Sequence, residues 1–126
     1  MKRLHKTMNR AIRYILNAPK SQRVTPLYKQ LKWLKLRDRQ LLHSMVMVYK
    51  IIYLPCPSYV MENIQILQSA RNGLQLHIPR HSTTFYSKFF FIRACREWNA
   101  LPANIRSSKT LSEFKRLLTD HLLNKY

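Results

Sequence analysis

His77 and His81 stand four apart, with Cys56 21 residues before the first and Cys95 14 residues after the second. Such a set could nominally hold zinc as Cys2His2, and the histidine spacing is an allowed one. Neither cysteine has the paired neighbour of a zinc knuckle, so buried thiols and surface histidines are the plainer expectation. A nucleophilic pair of Cys95 with either histidine has no local support, because a free cysteine is ordinarily a small buried apolar group. Carboxylate chemistry has little to draw on. Asp38, Asp120, Glu62, Glu97 and Glu113 are the whole supply, and no two are adjacent. Two-metal nucleotide transfer needs clustered acids. Gly73 is the single glycine, which excludes glycine-rich phosphate loops. The expectation is a chain without catalytic residues, metal or cofactor.

What the sequence does offer is positive charge. Lys and Arg number 23 against five acids, giving a formal net charge of +18 in 126 residues. Residues 1–50 hold 13 of these bases and one acid, residues 51–79 are neutral, and residues 80–126 hold nine bases and three acids. Like charges at this density repel one another unless a polyanion neutralises them. RNA or DNA is therefore the expected partner, held through its backbone with little sequence specificity. The candidate contacts are Lys2, Arg3, Lys6, Arg10 and Arg13, followed by Lys29, Lys32, Lys35, Arg37 and Arg39. Tyr14 and Trp33 lie among them and could stack on bases or pack a core; both readings stay open. Trp98 reads as core.

These side chains need elements to hold them. An apolar fraction of 46% is too high for a disordered basic tail. Leu4, Met8, Ile12, Ile15 and Leu16 recur at helical steps until Pro19, with the basic residues on the remaining arc. Thr25 reads as the N-cap of a short helix with Pro26 at its first position and Leu27 and Leu31 as its buried side. Residues 36–53 predict the most apolar helix, ended by Pro55 and Pro57. Ser58 is expected to cap a short helix reaching Ile66. Leu74, Leu76 and Ile78 alternate with polar residues as a half-buried strand does, and residues 83–86 are its expected partner. A helix over residues 88–100 ends at Pro102. Thr110 and Glu113 form a capping box before the stripe Leu111, Phe114, Leu117, Leu118 and Leu122. The fold class is mainly α: one small domain, 1–126, of five to six helices with a short β-hairpin near residues 74–86. No apolar run reaches the ~20 residues that span a bilayer. No segment reads as a secretory signal, and two cysteines 39 apart suit reduced thiols.

The ordered segments NRAIRYIL (9–16), TPLYKQLKWLKLRDRQLLH (25–43), VYKI (48–51), PCPSYV (55–60), IPR (78–80) and FFFIRACREWNALPANIRSSKTLSEFKRLLTDHLL (89–123) carry a resemblance. Together they resemble the C-terminal region that follows the polymerase in non-LTR, jockey-like retrotransposon reverse transcriptases. The strongest block is Arg93-Ala94, Trp98-Asn99-x-Leu101-Pro102, Ile105-Arg106 and Ser112-x-Phe114-Lys115. The resemblance spans essentially the whole chain. Cys95 stands where the family usually has proline, and the polymerase's Tyr/Phe-x-Asp-Asp motif is absent. The resemblance implies ancestry in an RNA-directed DNA polymerase and association with nucleic acid, without catalysis by these residues.

The expected function is a non-enzymatic, nucleic-acid-binding remnant or fragment of such a polymerase, placed in the nucleus or cytoplasm. Two other classes stay open: a basic amphipathic protein for anionic membranes or an acidic partner, and a relic without function. Residues 1–37 contain no acid, so the first helix also reads, as a minor alternative, as a mitochondrial presequence.

Overall fold

The computed structural model describes residues 2–55, 66–69, 73–78 and 90–126. Among them are helices α1 (Lys2–Ile15), α2 (Thr25–Gln30) and α3 (Leu36–Tyr53), strands β1 (Ile66–Ser69) and β2 (Gly73–Leu76), and helices α4 (Phe90–Ala100), α5 (Ala103–Arg106) and α6 (Leu111–Leu123). Among the described residues the chain is mainly helical, with one small antiparallel sheet. It divides into two compact units, one of residues 1–40 with 119–126 and one of residues 41–118.

In the first unit, α1 and α2 meet around Ile12, Leu27 and Tyr28, all buried, with Met8, Leu16, Val24 and Trp33 packed against them. Both helices end in the same way. Asn17 takes φ 49° and Lys32 φ 54°. The next amide then reaches back five residues, Ala18 to the Arg13 carbonyl and Trp33 to the Tyr28 carbonyl, both at 2.9 Å. This is the Schellman turn, in which a left-handed residue lets the chain satisfy the last carbonyls of a helix. Asn tolerates that conformation. Lys does so at a cost.

The start of α2 corrects an expectation. Thr25 is the helix's first residue rather than its cap, and Pro26 is second. The capping position is Val24, whose carbonyl accepts from Leu27 and Tyr28. The Thr25 hydroxyl, inside the first turn, is directed instead to Lys35, accepting from its Nζ at 2.9 Å.

The second unit is built on an aromatic ladder. Tyr53 and Tyr49, one turn apart on α3, have ring centroids 4.7 Å apart. Tyr49 lies 4.7 Å from Phe114, and Phe114 5.7 Å from Trp98. Trp98 and Phe114 are fully buried, as are Met45, Ile92 and Leu118. The tyrosine hydroxyls donate to the Ser108 and Arg106 carbonyls, each at 2.8 Å, and so fix the chain between α5 and α6. Thr110 caps α6 as expected, accepting from the Glu113 amide at 3.2 Å.

The hairpin forms, but with a different partner strand. β2 pairs back with β1 in the register Ile66 to Leu76 through Ser69 to Gly73. Ile66 thus opens a strand instead of closing a helix, because it gains a cross-strand partner in Leu76. The rest of that expected helix, and the strand expected at 83–86, lie outside the described residues. Gly73 has φ 68°, a conformation that favours glycine at the head of β2. Asn99 on α4 lies along the other side of β2. Its carboxamide accepts from the Leu76 N–H at 2.8 Å and donates to the Leu76 carbonyl at 2.7 Å. Arg106 Nη1 donates to the Leu74 carbonyl at 3.0 Å.

Candidate functional site

The basic residues of the first helix occupy one arc because of their spacing. At about 100° per residue, Lys2, Arg3, Lys6, Arg10 and Arg13 fall within roughly a third of the circumference. Ile12 faces the unit's core from the other side. Four turns of helix thus present a row of cations, all exposed except Arg13, which is half-buried.

Beyond Ile15 the Asn17 turn folds the chain back along the helix, and an open cleft of about 730 Å³ forms there. Lys6, Arg10 and Arg13 line one side, with Lys20 contributed by the returning turn. Asn9 and Asn17 supply carboxamides to the lining, and Tyr14 its ring. Among the described residues this lining holds no carboxylate. Arg13 is braced by donating from Nη2 to the Gln22 carbonyl at 3.2 Å, which ties the helix to the turn. Its Nε has no hydrogen-bond partner among the described residues. Asn9 is held in place by Tyr28, whose hydroxyl donates to Asn9 Oδ1 at 2.9 Å.

The two candidate stacking rings separate clearly. Tyr14 is 88% exposed. Two residues past Ile12, it points about 200° round the helix from the core. Trp33 is half-buried against the cluster of Ile12, Leu27 and Tyr28.

The remaining candidates are dispersed. Lys29 and Lys32 line a shallower cleft of about 390 Å³ with Asp120, Leu123 and Asn124. Lys35 is committed to structure: its Nζ bonds Thr25 and lies 5.0 Å over the Tyr126 ring. It also borders a third cleft with His5, Arg23 and Tyr28. Arg37 and Arg39 are exposed on the first turn of α3, while Lys2 and Arg3 lie on the α1 arc outside the cleft lining. The structure therefore gathers Lys6, Arg10, Arg13 and Tyr14. It adds Lys20, which sequence reasoning passed over; the signal was an αL-tolerant Asn17 followed by Pro19, a turn that carries the next residue back toward the helix.

Cys95 is a free, buried thiol, and burial pushes it up. Burial also raises Glu97, against the opposing effect of Arg93. No group of three His, Cys, Asp or Glu side chains among the described residues is placed to hold a metal ion. No helix among the described residues is long and apolar enough to cross a membrane. No protein-family model matches the chain, and no curated protein or solved structure matches it.

Proposed function

We propose that this protein binds the sugar–phosphate backbone of RNA or DNA through the cleft at the end of α1, without catalysing a reaction. The observation that carries the proposal is the lining itself: four cations from a helix and its returning turn, with no described carboxylate among them. Phosphate oxygens are the ligand that such a surface suits, and contacts of this kind give affinity without reading sequence. The ordered reverse-transcriptase-like segments support ancestry in a retrotransposon polymerase tail. Its strongest block serves architecture here, since Trp98 and Phe114 are core and Asn99 and Arg106 bond β2.

Salt titration of the purified protein against RNA and DNA tests this reading. With four phosphates neutralised, log K should fall against log salt with a slope of about −2.8 for single strands and about −3.6 for duplex. Changing Arg10 and Arg13 together to Gln should flatten it by roughly 1.4 and 1.8 respectively. Binding that ignores salt, or an unaltered slope in that variant, would overturn the assignment. Mg-dependent primer extension by the purified chain would overturn its non-catalytic part. A reading frame encoding Tyr/Phe-x-Asp-Asp immediately upstream in the genomic DNA would support the ancestry.

One observation favours a second reading. Leu4 is 49% and Ile15 53% exposed on the same helix as the basic arc. An apolar strip beside cations suits an anionic lipid surface. Cosedimentation with anionic vesicles, in the absence of salt-sensitive RNA or DNA binding, would favour it.

A further inference from the structure

We propose that the cleft at the end of α1 takes a single-stranded segment, with phosphates on Lys6, Arg10, Arg13 and Lys20 and one unpaired base stacked on Tyr14. This rests on the nucleic-acid reading above and narrows it to one substrate class.

The argument begins with Tyr14's exposure. A tyrosine ring left 88% open to water gives up the burial that ordinarily accounts for an aromatic residue. On the same helix Met8, Ile12 and Leu16 pack inward, so space on the apolar side is not what excludes the ring; its position in the sequence directs it to the cleft. There it lies beside Arg10 and Arg13, in a lining that also holds two carboxamides. A cationic track next to a free aromatic face is the combination by which proteins hold single strands: the charges follow the backbone and the ring takes a base. A base paired within a duplex has both faces covered by its neighbours, so Tyr14 has nothing to stack on there. The open cleft, about 730 Å³ in volume, has room for a nucleotide unit. The carboxamides of Asn9 and Asn17 can meet the polar edge of the stacked base. Asn9 is the better placed, because its bond from Tyr28 fixes the side chain before any ligand arrives.

Trp33 would be the first choice from composition, as the larger ring among bases. Its packing against Ile12, Leu27 and Tyr28 removes it from this role. The proposal therefore makes opposite demands on the two aromatics: Tyr14 governs single-strand affinity and Trp33 governs folding.

The test uses the full chain with four probes of equal length and salt: oligouridylate, oligothymidylate, an abasic strand of the same charge, and a duplex. Stacking of one base is worth about 1–3 kcal/mol, so Tyr14→Leu should weaken both base-bearing single strands by roughly 5- to 150-fold. The abasic strand and the duplex should bind the variant as they bind the parent. Tyr14→Phe, which keeps the ring, should restore single-strand affinity. Equal losses on abasic and base-bearing strands, or no loss at all, would overturn the stacking proposal while the parent's salt slope upholds the backbone reading. Absence of salt-dependent binding in the parent protein would overturn both. Because Tyr14 is exposed, the leucine variant should keep the parent's circular dichroism and melting midpoint, and a shared loss of affinity by both Tyr14 variants at unchanged fold would count against the proposal.

Discussion

The Tyr126 hydroxyl donates to the Asp38 carboxylate across 88 residues of sequence. The same oxygen accepts from the Lys35 amide at 2.7 Å, and the ring meets Tyr28 edge-on at 6.5 Å. One side chain thus joins α2, the residue before α3, the first turn of α3 and the last residue of the chain within the basic unit. It also engages, by hydrogen bonding, one of the two acidic side chains that share that unit with its cations. Tyr126→Phe keeps the ring and loses both bonds. It should destabilise the protein by about 1–3 kcal/mol, since the Lys35 donor and the Asp38 carboxylate lose a shared partner. Urea titration of the two proteins measures this directly.

The same residue makes stability fall at alkaline pH. Burial, and then donation to Asp38, hold the Tyr126 phenol well above its ordinary value of 10.0. Burial likewise raises Tyr28, Tyr49 and Tyr53. A group whose folded pKa is raised keeps its proton more tightly in the folded state. Its contribution is complete below about pH 10, where the unfolded phenol is still protonated, and is lost as pH rises further. The urea midpoint should therefore fall progressively as pH rises above about 10, and Tyr126→Phe should lessen the fall. An equal drop in both proteins would exclude Tyr126 as a source.

Lys32 occupies a left-handed position where glycine costs nothing sterically. Lys32→Gly relieves about 1–2 kcal/mol of backbone strain and adds about 0.5–1 kcal/mol of chain entropy to overcome. The net expectation is a gain of about 0.5–1 kcal/mol, read as a higher melting temperature. Asn17→Gly should change less, because Asn already tolerates the conformation. Equal gains at the two turns would refute the strain argument.

The last helix should respond in two steps. Thr110→Ala removes the oxygen that accepts from the Glu113 amide and should cost about 1 kcal/mol. Leu118 is fully buried, so Leu118→Ala should cost about 2–5 kcal/mol through lost burial and the cavity it leaves. Similar small effects in chemical denaturation would mean that α6 is not held by packing.

Asn99 should tolerate little change. Its carboxamide serves both the donor and the acceptor of Leu76, a residue only 2% exposed. Asn99→Ala strands both backbone groups and should cost about 2–4 kcal/mol. Asn99→Asp keeps the acceptor but places a carboxylate oxygen against the Leu76 carbonyl, so it should cost at least as much. A neutral Asn99→Asp, measured by thermal melting, would show that the donor half of the pairing contributes nothing.

Local features were readable where the physics is local. The end of α3 follows from its apolar second half stopped by Pro55, the cap of α6 from Thr110, and the strand at β2 from its alternation. The partner of that strand was not readable. Residues 66–69 show no alternation, so their own pattern does not mark them as the partner strand. Tyr126 carries no periodic signal, and its contacts with Asp38 and Lys35 exist only after the chain has folded. The α1 half of the cleft was visible as a basic arc. Lys20 was not, because its place depends on the turn geometry at Asn17. The difference between Tyr14 and Trp33 was legible in part: an angle of about 200° from Ile12 directs Tyr14 outward, whereas the packing of Trp33 depends on where the Lys32 turn aims it.

The pairing of α4 and α5 with β2 bears on how copies of this protein treat one another. A two-stranded ribbon offers, along each free side, a row of backbone groups onto which a strand from another molecule can add. Along β2 three of those groups are taken: Asn99 occupies both on Leu76, and Arg106 the carbonyl of Leu74. Side chains here do the work of a third strand yet cannot be extended by a fourth. Intermolecular sheet growth is thereby blocked at this edge, and loss of Asn99 would expose a template for aggregation as well as weaken the fold.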